Sequence, residues 1–307
     1  MATIVTVTVN PAIDTSCSVE QVVPERKLRC SEPHHDPGGG GLNVARAVRR
    51  LGGEAVAFWT GGGALGQLLG RLLDEEGLDH RAIRVEGMTR ESLTVLETST
   101  TLQYRFGMPG PPLHSQEVQE CLSHVQGFRP TPDYLVLSGS LPPGAPDDLY
   151  AQFARQAPAG CRVVLDASGN ALQLGLGAGV YLIKPNVREL GQLAGRVIER
   201  DKDIEAISQR LIREGRVEVV VASLGAGGAV VVTAEGAERL RAPTVEIRSK
   251  VGAGDSTVAG VVLALTRGSS VRDAVRFGMA AGAAAVMTEG TSLCRREDAE
   301  RLYQEME

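Results

Sequence analysis

The sequence predicts an α/β chain built on a doubly wound, mostly parallel sheet with a small β lid. Short β-branched runs alternate with amphipathic helical stretches over most of the length, and such alternation makes a parallel sheet covered by helices on both faces. Two segments, about 15–36 and 89–108, break the alternation with hairpin-like pieces too small to bury both faces of a sheet of their own. The 37 glycines stand against only five Phe, five Tyr and one Trp. They cluster at 38–41, 61–63, 225–228 and 252–254, as expected of loops where backbone approaches a ligand.

Taken in order, 4–9 reads as a buried strand. Residues 42–51 carry apolar side chains at 42, 44, 45, 48 and 51, one face of a helix. Residues 55–59 are strand-like and 65–76 helical. Tyr134–Ser138, Arg162–Asp166, Val180–Ile183 and Val217–Ser223 read as further buried strands, with helices near 146–157, 187–195 and 203–214. The last third is helical, about 254–267, 270–287 and 295–306. The lid pieces are 17–22, 27–31, 92–97 and 102–106. All 307 residues read as one domain.

Composition narrows the function. A net charge of −5 lacks the basic excess of a nucleic-acid binder. No apolar run approaches the ~18 residues of a membrane span, and no signal peptide is read at the start. The five cysteines are scattered and never in CxxC spacing, which suits free thiols in a reducing cytoplasm. Only four basic residues are Lys (27, 184, 202 and 250); a chain so biased to Arg can keep Lys where a compact ammonium is wanted.

The strongest motif is Val251-Gly252-Ala253-Gly254-Asp255-Ser256. It follows a strand-like stretch at 244–248 and opens a helix with apolar positions at 258, 261, 262 and 265. Small residues at 252–254 expose consecutive N–H groups at a helix N-terminus, an anion cradle. A carboxylate at 255 would repel a phosphate unless it serves as general base for an attacking hydroxyl. Pro37-Gly38-Gly39-Gly40-Gly41-Leu42-Asn43 allows close backbone approach, with Asn43 able to bond sugar hydroxyls. It is not a P-loop, since no GxxxxGK[ST] occurs.

Asp14 follows the first strand, at the end where open α/β sheets bind ligands. In Lys184-Pro185-Asn186-Val187-Arg188-Glu189, Glu189 could hold Mg²⁺ through water while Lys184 or Asn186 reaches nucleotide phosphate; the same N-x-x-E spacing also makes a helix capping box. Asp166, closing its strand, is a further candidate for metal or phosphate. Ser223-Leu224-Gly225-Ala226-Gly227-Gly228 could wrap a nucleotide or form a plain turn, and Ser138–Pro143 is similar. Lys27, Arg29, Arg90 and Arg105 put four cations on the lid, suited to a sugar phosphate. His34-His35 reads as a solvated pair.

Together, in this order and spacing, the early glycine motif, the N-x-x-E motif and the GAGD motif resemble the PfkB/ribokinase family of carbohydrate kinases over nearly the whole chain. The nearest pattern is that of its 6-phosphofructokinases, carried by Lys27-Leu28-Arg29-Cys30, the GGGG loop with Asn43-Val44-Ala45-Arg46, Gln103-Tyr104-Arg105-Phe106 and Val275-Arg276-Phe277-Gly278. The resemblance implies a ribokinase-like fold, a homodimer through the lid, and ATP-dependent phosphorylation of the 1-hydroxyl of fructose 6-phosphate. It assigns Asp255 as base and Gly252, Ala253 and Gly254 as anion hole. The sugar phosphate would contact Asp14, Gly39, Gly40, Asn43, Arg90 and Ser140, with Lys27, Arg29 and Arg105 adding charge. ATP would lie against Lys184, Asn186, Ser223, Gly225 and Gly228, with Mg²⁺ near Glu189 and Asp166. Ser249, Val251, Ala285, Thr288, Gly290 and Ser292 align with a monovalent-cation (K⁺) site, mostly through backbone. Gln67 and Glu289 depart from the family pattern. A tagatose-6-phosphate or fructose-1-phosphate kinase, or a non-catalytic sugar-phosphate sensor, stays open as an alternative.

Overall fold

The computed structural model describes residues 3–288 and 290–306, so Glu289 lies outside the described residues. In chain order the elements are β1 (Ile4–Thr8), β2 (Ala12–Val19), β3 (His34–Gly38), α1 (Gly40–Arg50), β4 (Ala55–Gly61), α2 (Gly63–Glu75), β5 (Asp79–Arg84), β6 (Arg90–Glu97), β7 (Gln103–Gly107), α3 (Ser115–Gln126), β8 (Tyr134–Ser138), α4 (Leu149–Gln156), β9 (Arg162–Asp166), α5 (Gly169–Gly175), β10 (Val180–Ile183), α6 (Val187–Ala194), α7 (Asp201–Arg213), β11 (Val217–Ser223), β12 (Ala229–Thr233), β13 (Gly236–Leu240), α8 (Ala253–Thr266), α9 (Val271–Val286) and α10 (Arg296–Glu305).

Among the described residues nine strands form the main sheet, in the order β13-β12-β11-β10-β9-β8-β1-β4-β5. From β11 to β5 every pair is parallel; β12 and β13 add an antiparallel edge. Alternate side chains of the central strands enter different cores. Ile4, Tyr134, Val136 and Val164 pack with α1, α2, α8, α9 and α10. Val5, Val7, Leu135, Leu137, Val163 and Leu165 pack with α3 to α7. Burial on both faces is why these strands read as unbroken apolar runs.

The lid is a separate four-stranded sheet in the order β3-β2-β6-β7. Its centre is an eight-pair parallel ladder between β2 and β6, from Ala12↔Arg90 to Val19↔Glu97, flanked by antiparallel β3 and β7. It is therefore one sheet woven from two chain segments, not two free-standing hairpins. Two local expectations are corrected. Residues 27–31 are not a strand but part of the loop joining β2 to β3; β3 begins at His34, because the strand needs register with β2 through Asp36↔Asp14. The stretch 244–248 before α8 is also irregular, so the GAGD turn is entered from a loop.

Candidate active site

The predicted motifs meet at the C-terminal ends of the parallel strands. Gly252, with φ 74°, caps α8 in the left-handed region that glycine tolerates, and Asp255 lies in the first helical turn. A Cβ added at Gly254 would lie 3.6 Å from Lys184 Nζ, so that ammonium faces the helix N-terminus and its N–H groups. Positive charge and free amides thus converge on one volume, the requirement for holding a phosphoryl group. Asp255 Oδ2 accepts a 3.0 Å bond from Asn43 Nδ2 of α1. Burial pushes the Asp255 carboxyl up to about 6, and Asp166 and Asp14 add to the rise while Asn43 and Lys184 oppose it. A carboxylate so poised is a base near neutral pH.

On one side of Asp255, Lys184 Nζ pairs with Asp166 Oδ1 at 3.1 Å. Burial disfavours the Lys184 charge, but Asp166, Asp255 and Glu189 outweigh it and hold the amine protonated more tightly than usual. Asn186 and Glu189 form the capping box that their spacing permits: Asn186 Oδ1 accepts from Glu189 N and Glu189 Oε2 from Asn186 N, both at 2.9 Å. Ser223 N donates to Pro185 O at 2.9 Å, and Asn186 and Ser223 form a parallel bridge. The 184–189 and 223–228 segments are thereby one wall. Gly225 and Gly228 both have positive φ, 58° and 99°, and a side chain at Gly228 would strike the Leu240 carbonyl.

On the other side lies the lid. A Cβ at Gly38 would collide with the Asp14 carboxylate, and one at Gly40 with Ser138 Oγ and Gly139 N; the glycine loop is pressed between β2 and the end of β8. Gly39, at φ 118°, caps α1. Burial raises the Asp14 carboxyl, with Arg90 and Arg105 opposing. Arg90 donates to the Asn10 carbonyl through Nε (3.3 Å) and Nη2 (3.2 Å), and to Ser92 Oγ at 3.0 Å. Asn10 Nδ2 donates to Ser140 Oγ at 3.0 Å. Asn10, Arg90, Met108, Ser140 and Pro142 line a cavity of about 610 Å³. Lys27 and Arg29 are exposed on the β2–β3 loop and, like Asp14, Gly39, Gly40, Asn43 and Arg105, are not among the residues lining this cavity. Of the His pair, His34 is exposed as expected, with Nε2 3.3 Å from Asp36 Oδ2, while His35 is partly buried, with Nδ1 2.9 Å from Thr15 Oγ1.

The residues aligned with a cation site also converge. Ser249 Oγ donates to Gly290 O at 2.7 Å and accepts from Val251 N at 3.2 Å. Thr288 Oγ1 lies 2.7 Å from the Ala285 carbonyl and 2.6 Å from the Ser292 carbonyl. This loop sits directly before and behind the GAGD turn.

Sequence reasoning missed Arg46, Asp36, Glu76, Thr291 and the part played by Asn10. Arg46 is almost fully buried and donates to Asn43 Oδ1, Pro37 O and Glu76. One signal was present: Arg46 lies three residues after Asn43 in a helix, on the same face.

Residues 5–298 match the family model described as pfkB family carbohydrate kinase. The ATP-dependent 6-phosphofructokinase isozyme 2 of Mycobacterium tuberculosis is 43% identical over 306 residues, covering 98% of this chain and 89% of that protein. Phosphofructokinase-2 from Escherichia coli in complex with potassium superposes with a TM-score of 0.96 at 39% identity, covering 99% of each chain. The same E. coli enzyme in complex with fructose-6-phosphate gives 0.94 at 38% identity, covering 100% of this chain and 99% of that one. A ribokinase-like sheet, a woven lid and a carboxylate at a glycine-capped helix N-terminus thus go with a matching sequence over nearly the full length, and the chain belongs to the pfkB family of carbohydrate kinases.

Proposed function

We propose that this kinase transfers the γ-phosphoryl group of ATP to the 1-hydroxyl of fructose 6-phosphate, giving fructose 1,6-bisphosphate and ADP. The observation that carries the reading is Asp255, raised to about 6 and fixed by Asn43, with the Lys184 ammonium on its nucleotide side and Arg90 lining the lid cavity. Asp255 accepts the hydroxyl proton as the hydroxyl oxygen attacks γ-phosphorus in line. The phosphorus–oxygen bond to ADP breaks, and its electron pair leaves on the β-phosphate. The amides of Gly252, Ala253 and Gly254 with Lys184 stabilise charge on the transferred group. Asp14, Gly39, Gly40, Asn43 and Ser140 orient the sugar; Arg90 and Arg105 face its 6-phosphate, with Lys27 and Arg29 supplied across a homodimer formed lid to lid.

Asn186, Ser223, Gly225 and Gly228 form the nucleotide wall. Asp166 and Glu189 both lie close enough to Lys184 to raise its pKa, and two carboxylates there fit a Mg²⁺ held mostly by phosphates and water. Asp166 and Glu189 would supply those oxygens, and the ion would neutralise phosphate charge. The Ser249, Val251, Ala285, Thr288, Gly290 and Ser292 cluster, rich in carbonyl and hydroxyl oxygens, fits a monovalent cation such as K⁺. Values of kcat/KM over fructose 6-phosphate, tagatose 6-phosphate and fructose 1-phosphate test the substrate. The expected result is a preference for the first. A preference for fructose 1-phosphate overturns the reading of the lid, and binding without ADP production revives the sensor alternative.

A further inference from the structure

Arg46 is among the largest fully buried side chains of the chain, 1% exposed, and none of the site assignments above uses it. Its guanidinium is almost fully engaged. Nε donates to Glu76 Oε2 at 2.7 Å and Nη2 to Glu76 Oε1 at 2.5 Å. Nη1 donates to Pro37 O at 2.7 Å and Asn43 Oδ1 at 3.1 Å, and Nη2 lies 3.5 Å from Asp36 Oδ1. Arg50 Nη2 approaches the same Glu76 carboxylate at 3.4 Å. The other end of Asp36 accepts from Thr291 Oγ1, in the loop behind the GAGD turn.

An Asn amide has an acceptor end and a donor end, and either could face Asp255. A guanidinium is a donor only. Held in the bidentate grip of Glu76, Arg46 occupies Asn43 Oδ1 and so leaves only Nδ2 to point at Asp255 Oδ2, 3.0 Å away. With the amide reversed, Oδ1 would confront the carboxylate, oxygen against oxygen. Resting on the assignment of Asp255 as base, we propose that Arg46 is a positioning residue for phosphoryl transfer. By fixing the flip of the Asn43 amide it anchors one oxygen of Asp255 and leaves the other directed to the sugar hydroxyl. Pro37 and Asp36 belong to β3, so the same guanidinium also ties the lid strand to that alignment.

Arg46→Lys keeps the charge but loses the fork that serves Glu76 and Asn43 together. Its kcat should fall roughly 10-fold, the sensitivity expected when a reacting group is slightly misplaced. KM for ATP, and ATP affinity measured by calorimetry without sugar, should stay within about twofold. In an Asn43→Ala background the same substitution should remove less than about twofold more, because the pair acts as a unit. Effects on kcat that multiply, or an Arg46→Lys enzyme with a lowered melting temperature and unchanged kcat, overturn the proposal. If Arg46→Lys does not fold, Glu76→Gln loosens the fork while keeping the guanidinium, and the same cycle with Asn43→Ala applies. Asp255→Asn separates the two readings: full turnover there removes the base assignment, whereas an inactive Asp255→Asn with no Arg46–Asn43 coupling removes the positioning role alone.

Discussion

The proposed mechanism concentrates the chemistry in Asp255, and the environment of that side chain makes two testable statements. Asp255→Asn keeps the shape and the Asn43 contact but cannot accept a proton, so kcat should fall about 10³-fold, within the range for loss of a general base, with KM for either substrate little changed in a coupled ADP assay. The carboxyl, pushed up to about 6, must be ionised to serve as the proposed base. The acid limb of kcat/KM for the free enzyme should therefore bend near pH 6, activity falling as pH drops through it. The same shift has a stability sign. A carboxyl with a higher pKa folded than unfolded binds more protons in the folded state, so its contribution to stability declines as pH rises from about 4 to 6 and stays low above. Asp255→Asn should thus be more stable than the parent at pH 7.5 by roughly 1–3 kcal/mol, since the buried carboxyl no longer has to ionise. Calorimetry should find that advantage shrinking toward pH 4. Asp255 was legible from sequence because glycine, carboxylate and helix start lie side by side. Arg46 was not, because its meaning depends on Glu76, thirty residues away and brought close only by the packing of α1 against the end of α2.

At the level of elements, the central strands were legible almost to the residue, since burial on both faces leaves continuous apolar runs. The polar edge strands β5 and β13 were not, for each keeps most of its side chains in solvent. Helix α3 also escaped, its buried face resting on Val118, Cys121, Leu122 and Val125 alone. The sequence marked the glycine loop as a place of close backbone approach but not how tightly it is pressed between its neighbours. Gly39 at φ 118° has Thr8 Cγ2 only 2.8 Å from where a Cβ would stand. Gly39→Ala should cost about 1–3 kcal/mol through backbone strain, read as a lower urea midpoint, and raise KM for the sugar phosphate while leaving KM for ATP near its parent value. The capping box of Asn186 and Glu189 shows the reverse situation. Spacing alone left capping and metal binding as rivals; the structure shows the cap, which occupies one oxygen of Glu189 and so is compatible with a second duty for the other.

For the molecule as a whole, the lid exposes Leu102, Phe106 and Met108 at 58%, 48% and 44%, an apolar cluster suited to a second copy of the chain. If the proposed lid-to-lid homodimer forms, Phe106→Glu should shift sedimentation from dimer to monomer and raise KM for the sugar phosphate, with ATP binding retained; a parent that sediments as a monomer, or a dimer that the substitution leaves unchanged, overturns the lid contact. The broad arrangement of lid and sheet followed from the break in strand–helix alternation, but the pairing within the lid did not, because parallel contact between 12–19 and 90–97 leaves no local trace in either segment. That weave has a mechanical consequence. The backbone passes between lid and body four times, near Asn10, Gly39, Thr89 and Met108, and the β2–β6 ladder forbids any one of these crossings from moving alone. Each crossing adjoins the glycine loop or a residue that lines the lid cavity, such as Asn10, Arg90 or Met108. A sugar phosphate that strains one crossing is therefore expected to disturb the others through the same ladder, so that misfit at one point of the lid is felt across it.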